Sequence, residues 1–228
     1  MLAGLLPILM FSSCEKEEQV DSNTNVFTAT MEPCTDQQSK TSLVGNQLRW
    51  DPNDEVALYG SNDYSILSAT PQSNATTAVF RGRTEIGSAP YYAVYPSSIA
   101  NGRDRVTLPA IQWRKDDFIR GFPMYTQSND RTLSFRNLCG LIKLHLTKPN
   151  VSISSITFIT EENVAVRGVF GVDYNGGNPR LTAVSANSNM VKMICSTAQS
   201  ISNGADFIYI CQLVIIKTSP LRYGLVTV

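Results

Sequence analysis

The sequence predicts an all-β fold with a sandwich-like or barrel-like architecture. Short segments alternate apolar and polar residues with a period of two, which is the pattern of half-buried strands. Gly, Pro, Asn and Asp separate these segments at short intervals, and the helical patterns are too short to predict a helix. A chain of 228 residues with 43% hydrophobic side chains can bury one large core or two smaller ones.

Residues 1–13 predict a lipoprotein signal peptide. The apolar run that ends at Phe11 is about half of the roughly 20 residues that a membrane-spanning helix needs. Ser12 and Ser13 precede Cys14 as small residues do in a lipobox, so Cys14 is expected to carry the acyl chains that anchor the protein. The alternative is an ordinary signal peptide with an incidental cysteine.

Residues 14–25 are predicted to form the acylated tether. They are polar and lack any periodicity, which is typical of a flexible connection. The acidic cluster Glu15-Lys16-Glu17-Glu18 resembles the export signal of Bacteroidetes lipoproteins that are displayed on the cell surface. We therefore expect a lipid-anchored protein at the outer membrane, with its acyl chains as the contact to the bilayer.

The first predicted strand spans Val26 to Met31 and places Phe27, Ala29 and Met31 on one apolar face. Further alternating runs predict strands along the rest of the chain. These runs contain Leu48 with Trp50, Val56 with Leu58, Tyr91 with Ala93 and Tyr95, Val106 with Leu108, Leu133 with Phe135, Ile142 with Leu144 and Leu146, and Ile156 with Phe158.

Three local signals refine this pattern. Asn175-Gly176 between alternating runs predicts a β-hairpin, because both turn positions of such a hairpin need a positive φ. Arg167-Gly168 inside a strand pattern predicts a bulge or bend. The segment from Ile111 to Gly121 carries too short an apolar stripe for a helix and is predicted to be a loop.

Charge and catalytic side chains exclude several functional classes. Lys plus Arg and Asp plus Glu number 19 each, so no charge excess favours nucleic acid or steers a charged substrate. His145 is the single histidine, and its strand pattern predicts a half-exposed residue on the face opposite Ile142 and Leu144. Nucleophilic triads and multi-histidine metal sites need more partners than this. We therefore expect no enzyme, no metal and no cofactor.

The remaining cysteines are Cys34, Cys139, Cys195 and Cys211, and they contain no C-x-x-C pair. An oxidising compartment permits disulfides, and four cysteines allow three pairings. Cys139 and Cys211 lie within apolar strand patterns, where a buried free cysteine behaves as a small hydrophobic residue. The expectation is one disulfide at most.

A succession of segments carries a family resemblance. They are Phe27-Thr28-Ala29-Thr30, Ser39-Lys40-Thr41-Ser42-Leu43, Trp50-Asp51-Pro52-Asn53-Asp54-Glu55-Val56, Tyr91-Tyr92-Ala93-Val94-Tyr95-Pro96, Leu108-Pro109-Ala110-Ile111-Gln112, Phe122-Pro123-Met124-Tyr125, Leu133-Ser134-Phe135-Arg136-Asn137-Leu138-Cys139-Gly140-Leu141 and Val172-Asp173-Tyr174. In content and order they resemble the fimbrillin-like, type V pilin family of Bacteroidales lipoproteins. The resemblance covers roughly Phe27 to Tyr209, which is most of the chain.

This resemblance implies a transthyretin-like β-sandwich at residues 26–186 and a second β-domain after it, of which residues 187–228 would form only a truncated start. It implies a pilus component in which a trypsin-like protease cuts beyond the first strand, after Lys40 or alternatively Arg49. Loss of the strand that carries Phe27 would then open a groove for a strand of another pilin subunit. A host or bacterial surface ligand would be a further partner.

Three alternatives stay open at this point. The chain is a pilus component that polymerises, an uncut anchor or accessory lipoprotein, or a non-polymerising surface lipoprotein that binds glycans. The segment Cys211 to Val228 departs from the family pattern, and an early stop there would argue against polymerisation. An exposed planar row of aromatic side chains would favour glycan binding, whereas a removable first strand over an apolar groove would favour the pilin.

Overall fold

The structure is a computed structural model that describes residues 25–32, 49–61, 63–70, 76–82, 86–114, 121–160 and 164–212. The described part is all-β, with one short 3₁₀ turn at Ser97–Ile99. Its strands are β1 Asn25–Met31, β2 Glu55–Tyr59, β3 Tyr64–Ala69, β4 Thr77–Gly82, β5 Tyr91–Tyr95, β6 Arg105–Leu108, β7 Ile111–Arg114, β8 Met124–Ser128, β9 Thr132–Asn137, β10 Cys139–Leu146, β11 Ser152–Ile159, β12 Arg167–Asp173, β13 Arg180–Ser188, β14 Met190–Ser200 and β15 Ala205–Gln212.

Seven strands form a closed sheet in the order β1-β4-β3-β2-β5-β8-β9. Neighbouring strands are antiparallel except at the closing pair, where β1 runs parallel to β9. Side chains alternate between interior and solvent along β1, β3, β4 and β9, whereas β2, β5 and β8 each bury consecutive residues on both of their faces. Closure leaves no free edge in this sheet, so each of its strands has two hydrogen-bonded neighbours.

An aromatic cluster fills the interior of the closed sheet. Trp50 lies just before β2, is fully buried, and meets Phe80, Tyr95 and Phe135 edge to face at centroid distances of 4.8, 5.0 and 5.5 Å. Edge-to-face packing places the positive ring edge against the negative face of the neighbouring ring. Trp50 lies outside the strands, so the prediction that it belongs to one is wrong. The segment that leads into β2 instead places its indole in the core.

The three-stranded sheet β13-β12-β6 packs on this same core. Val106, Phe170 and Val172 from its inner face belong to the first buried cluster. The predicted hairpin is confirmed, since β12 and β13 pair in antiparallel fashion with Asp173 opposite Arg180. The predicted bulge is confirmed as well, because the register with β13 shifts between Arg167 and Val169.

A second buried cluster lies between the pair β10-β15 and the sheet β11-β14-β7. Phe207 and Tyr209 of β15 face Phe158 and Val191, and the Tyr209 hydroxyl donates a hydrogen bond of 2.9 Å to the Ile156 carbonyl. This cluster takes residues from both sides of the predicted domain boundary at 186/187, which itself falls within β13. The division of the chain at that position stays a prediction.

The segment that begins at Ile111 was predicted to be a loop, and this prediction is wrong for its first four residues. Ile111–Arg114 forms β7, which pairs in parallel with β14 from Lys192 to Cys195. Its partner lies about eighty residues further along the chain, so no local pattern could reveal the pairing. No helix of the described residues has the length and apolar character to cross a membrane.

Candidate functional site: the first strand and its groove

β1 is the strand that closes the seven-stranded sheet. It pairs with β4 from Asn25 opposite Gly82 to Thr30 opposite Thr77, and with β9 from Thr28 opposite Thr132 to Met31 opposite Phe135. Both neighbours depend on β1 for one row of backbone hydrogen bonds. Removal of β1 would therefore leave two facing rows of unpaired N–H and C=O groups with a strand-wide gap between them.

The inward face of β1 is the apolar face that the alternation predicts. Phe27, Ala29 and Met31 are 1%, 0% and 4% exposed, and the Phe27 ring meets Tyr91 edge to face at 5.0 Å. The strand register shows which neighbouring residues line the groove. Phe80 of β4 lies opposite Phe27, and Leu133 of β9 lies opposite Ala29. A vacated groove would thus present apolar pockets at alternate positions, which is how an added strand is recognised.

Contacts in the middle and at the end of β1 hold it in register. Where its pairing with β9 begins, the Thr28 amide donates 2.9 Å to the Arg131 carbonyl, and the Arg131 guanidinium lies 5.5 Å from the centre of the Phe27 ring. At the end, Glu32 accepts from Arg136 at 2.6 Å and its amide donates to the Phe135 carbonyl at 3.0 Å. Since Glu32 and Arg136 are both partly exposed, their ion pair contributes at most about 1 kcal/mol and chiefly fixes position.

Two of the other predicted site residues, Cys14 and Lys40, lie outside the described residues. The structure does describe Arg49, which is exposed and directly precedes the buried Trp50. A protease must draw several residues on each side of the cut bond into an extended conformation. Cleavage after Arg49 would require Trp50 to leave the aromatic cluster, so this geometry disfavours Arg49 as the processing site.

We expect brief trypsin treatment of the folded chain to leave the Arg49–Trp50 bond intact. Burial of Trp50 keeps the residue after the cut inaccessible until the closed sheet opens. The measurement is mass spectrometry of the first fragments, with protein unfolded in urea as the control in which this bond should be cut readily. A fragment that starts at Trp50 among the earliest products of folded protein would contradict the expectation.

The lone histidine has partners that the sequence did not reveal. His145 Nδ1 lies 2.7 Å from Asp206 Oδ1, and its Nε2 lies 3.3 Å from Thr147 Oγ1. Lys143 forms an ion pair of 2.7 Å with the other oxygen of Asp206, and hydrogen bonds from Lys143 and His145 hold the pKa of that carboxyl below its usual value. These side chains lie on the solvent face of β10-β15, where the His145 side chain is 64% exposed.

The described cysteines are unreactive. Cys139, Cys195 and Cys211 are free and buried, as predicted for Cys139 and Cys211, while Cys34 lies outside the described residues. Burial raises the pKa of the Cys139 thiol, and it raises the pKa of Cys211 to about 11. The thiolate is the nucleophilic form, so these thiols act as small hydrophobic residues at neutral pH.

Side chains of β7 cover the edge of β15 that faces away from β10. The backbone groups of Ile210 that point away from β10 are both bonded to Gln112 of β7: the Gln112 amide nitrogen donates to the Ile210 carbonyl at 2.5 Å, and the Ile210 N–H donates to Gln112 Oε1 at 2.9 Å. Arg114 donates from Nε to the Asp206 carbonyl at 3.2 Å. The Gln112 amide thus replaces a neighbouring strand along part of β15.

Within the described ranges, His, Cys, Asp and Glu side chains form no group of three or more that could hold a metal ion. No protein-family model, no curated protein and no solved structure matches this chain.

Proposed function

We propose that this chain is a structural or adhesive component of a bacterial surface fimbrium, attached to the outer membrane by lipid and linked to other subunits by strand exchange. One observation carries the proposal. β1 is the strand that closes the seven-stranded sheet and buries an alternating apolar face, so its departure leaves a groove shaped for another strand. Strand addition to such a groove supplies main-chain hydrogen bonds for affinity and pockets for specificity.

In this proposal the closed sheet and the strands packed on it correspond to the transthyretin-like N-terminal domain of a type V pilin. The second buried cluster would lie where the N-terminal domain meets the C-terminal domain, since it combines β14 and β15 with β10 and β11 from before residue 187. Support comes from the presence of two separate cores in one all-β chain and from the order of the fimbrillin-like segments. The chain passes between the two parts more than once, for example from β9 to β10 across Leu138 alone and again from β13 to β14.

In this proposal the lipid anchor and β1 lie on the same side of the processing site. Acylated Cys14 would be joined by the polar tether to Asn25, where β1 begins. A cut after Lys40 would therefore leave β1 on the membrane-bound fragment and the rest of the chain on the other. The body of the subunit would leave the membrane only when β1 leaves the groove, so release and opening of the acceptor groove become one event.

The test compares the chain in isolated surface filaments with the chain in the outer membrane. Cells producing wild type should yield filaments that contain this chain without β1, whereas Lys40→Gln should keep the chain uncut and out of filaments. Arg49→Gln is the matched control, because it removes the alternative cut site and should behave as wild type. Cys14→Ser should abolish fatty-acid labelling and membrane attachment.

Two outcomes would contradict the proposal. One is that the chain never occurs in filaments, cut or uncut. The other is that Lys40→Gln enters filaments as efficiently as wild type with its first strand still present. Equal fatty-acid labelling of wild type and Cys14→Ser would reject the anchor and leave the strand-exchange step to be judged by the filament composition alone.

A second candidate function is glycan binding by a surface lipoprotein. The aromatic row that would favour it is not formed by the most exposed rings of the described residues. Tyr64 on β3 stacks on Tyr59 with centroids 5.2 Å apart, and the exposed Trp113 lies on a different sheet. The observation in its favour is instead a polar cleft at the β12–β13 hairpin.

A further inference from the structure

An open cleft of about 320 Å³ lies at the tip of the β12–β13 hairpin and is lined by the exposed residues Asp173, Asn175, Asn178 and Arg180. It belongs to the sheet β13-β12-β6, which packs on the first core and is separate from the closed sheet that contains β1. Ligand pockets in proteins span roughly 300 to 1,000 Å³, so the volume suits a small ligand or one unit of a longer one.

The charged pair at this tip is arranged unusually. Asp173 and Arg180 are direct cross-strand partners, an arrangement that normally favours an ion pair. These two described side chains form no salt bridge with each other and instead line the cleft from two strands. The carboxylate and the guanidinium consequently remain able to bind a third group placed between them.

The surroundings of the cleft hold it in place. Tyr174, next to Asp173, packs edge to face on Tyr125 of the closed sheet with centroids 5.6 Å apart. Val172 is part of the first core, and Pro179 is buried at the other end of the turn. A polar site on a fixed hairpin loses less conformational entropy on binding than one on a free loop.

The chemistry of the lining selects the class of ligand. Arg180 disfavours a metal cation and Asp173 disfavours phosphate or carboxylate, because each places a like charge beside such a ligand. The charges cancel, and the two asparagine amides add donors and acceptors of their own. Sugar hydroxyls both donate and accept hydrogen bonds, and adjacent hydroxyls match the paired atoms of carboxylate, amide and guanidinium groups.

We propose that this cleft binds a neutral carbohydrate, with Asp173 and Arg180 each holding hydroxyl groups of one sugar ring. The inference deepens the second candidate function, and it depends on surface display only for its biological use. Binding itself is independent of strand exchange, so an uncut full-length chain should show it.

The test uses the purified full-length chain and a panel of neutral mono- to trisaccharides built from glucose, galactose, mannose and N-acetylglucosamine. Isothermal titration or saturation-transfer NMR should detect binding of at least one of them. Arg180→Ala and Asp173→Asn should each weaken that binding about tenfold or more, since each removes a charge-assisted hydrogen bond. Arg81→Ala and Asp63→Ala, exposed residues of the closed-sheet region, are the matched controls and should bind as wild type.

Asp173→Asn conserves shape, so it keeps the test decisive if Arg180→Ala disturbs the hairpin, and circular dichroism checks the fold of each variant. The proposal is overturned if the whole panel fails to bind or if Arg180→Ala and Asp173→Asn bind as tightly as wild type. It is likewise overturned if calcium or inorganic phosphate binds at these residues and the saccharides do not. Filament formation by a chain that binds none of the saccharides would reject this inference while leaving the proposed pilus function intact.

Discussion

Replacing Trp50 by alanine is expected to destabilise the chain by about 3 to 5 kcal/mol, the range measured for removal of large aromatic side chains from protein cores. Trp50 is fully buried and packs edge to face against three aromatic rings, so alanine would leave a cavity bounded by side chains on several strands. Those strands form a closed sheet, which limits their ability to move inward and fill the space. Urea unfolding followed by circular dichroism measures the loss.

Phenylalanine at the same position provides the matched comparison. Among the described residues, the indole N–H of Trp50 has no hydrogen-bond partner, and an unpaired buried donor costs about 1 to 3 kcal/mol. Phenylalanine removes that donor and keeps one aromatic ring, so Trp50→Phe should lose much less stability than Trp50→Ala. Equal losses for the two variants would show that the ring contacts with Phe80, Tyr95 and Phe135 contribute little.

The second large effect is expected from shortening both large side chains of β1. Phe27→Ala with Met31→Ala should destabilise the closed sheet by about 5 to 10 kcal/mol, from about 3 to 5 for the ring and 2 to 5 for the thioether chain. The two positions are four residues apart on one strand, so their effects should be close to additive. A loss of this size is comparable with the whole stability of a typical domain.

The result should also show where the chain opens. If β1 alone leaves, hydrogen exchange should become fast in β4 and β9 before it does in β2 or β5, because only β4 and β9 are hydrogen-bonded to β1. Thr28→Ala is the control, since Thr28 lies on the exposed face of the same strand. Uniform exchange across the sheet, or a loss no greater than that of Thr28→Ala, would mean that β1 is not a separable strand.

Much of the fold could be predicted because its signals are local. Alternation identified β1 and its buried face, an Asn-Gly turn identified the β12–β13 hairpin, and Gly168 marked the bulge. Each of these depends on side chains within a few residues of one another. The all-β class followed from the number of such segments, without any knowledge of which strands pair.

The features that the sequence did not predict depend on residues that are far apart along the chain. β7 is a strand because it pairs with β14, and Asp206 contacts His145 although the two residues are 61 positions apart. Trp50 is buried in a core that forms only when seven strands come together. The cleft required the register that sets Asp173 opposite Arg180, although the hairpin itself was predicted. Of the processing and anchoring residues, only Arg49 is among the described residues, and its neighbour Trp50 argues against its use.

The attachment of the tether at Asn25 has a mechanical consequence. In the proposed lipoprotein, tension from the membrane enters the body at the first residue of β1. A pull directed along that strand would load its hydrogen bonds to β4 and β9 in shear, so that many must yield together. A pull directed sideways would peel them one after another, at a far lower force. The direction of drag on the cell surface would then decide whether the subunit stays attached or gives up its first strand.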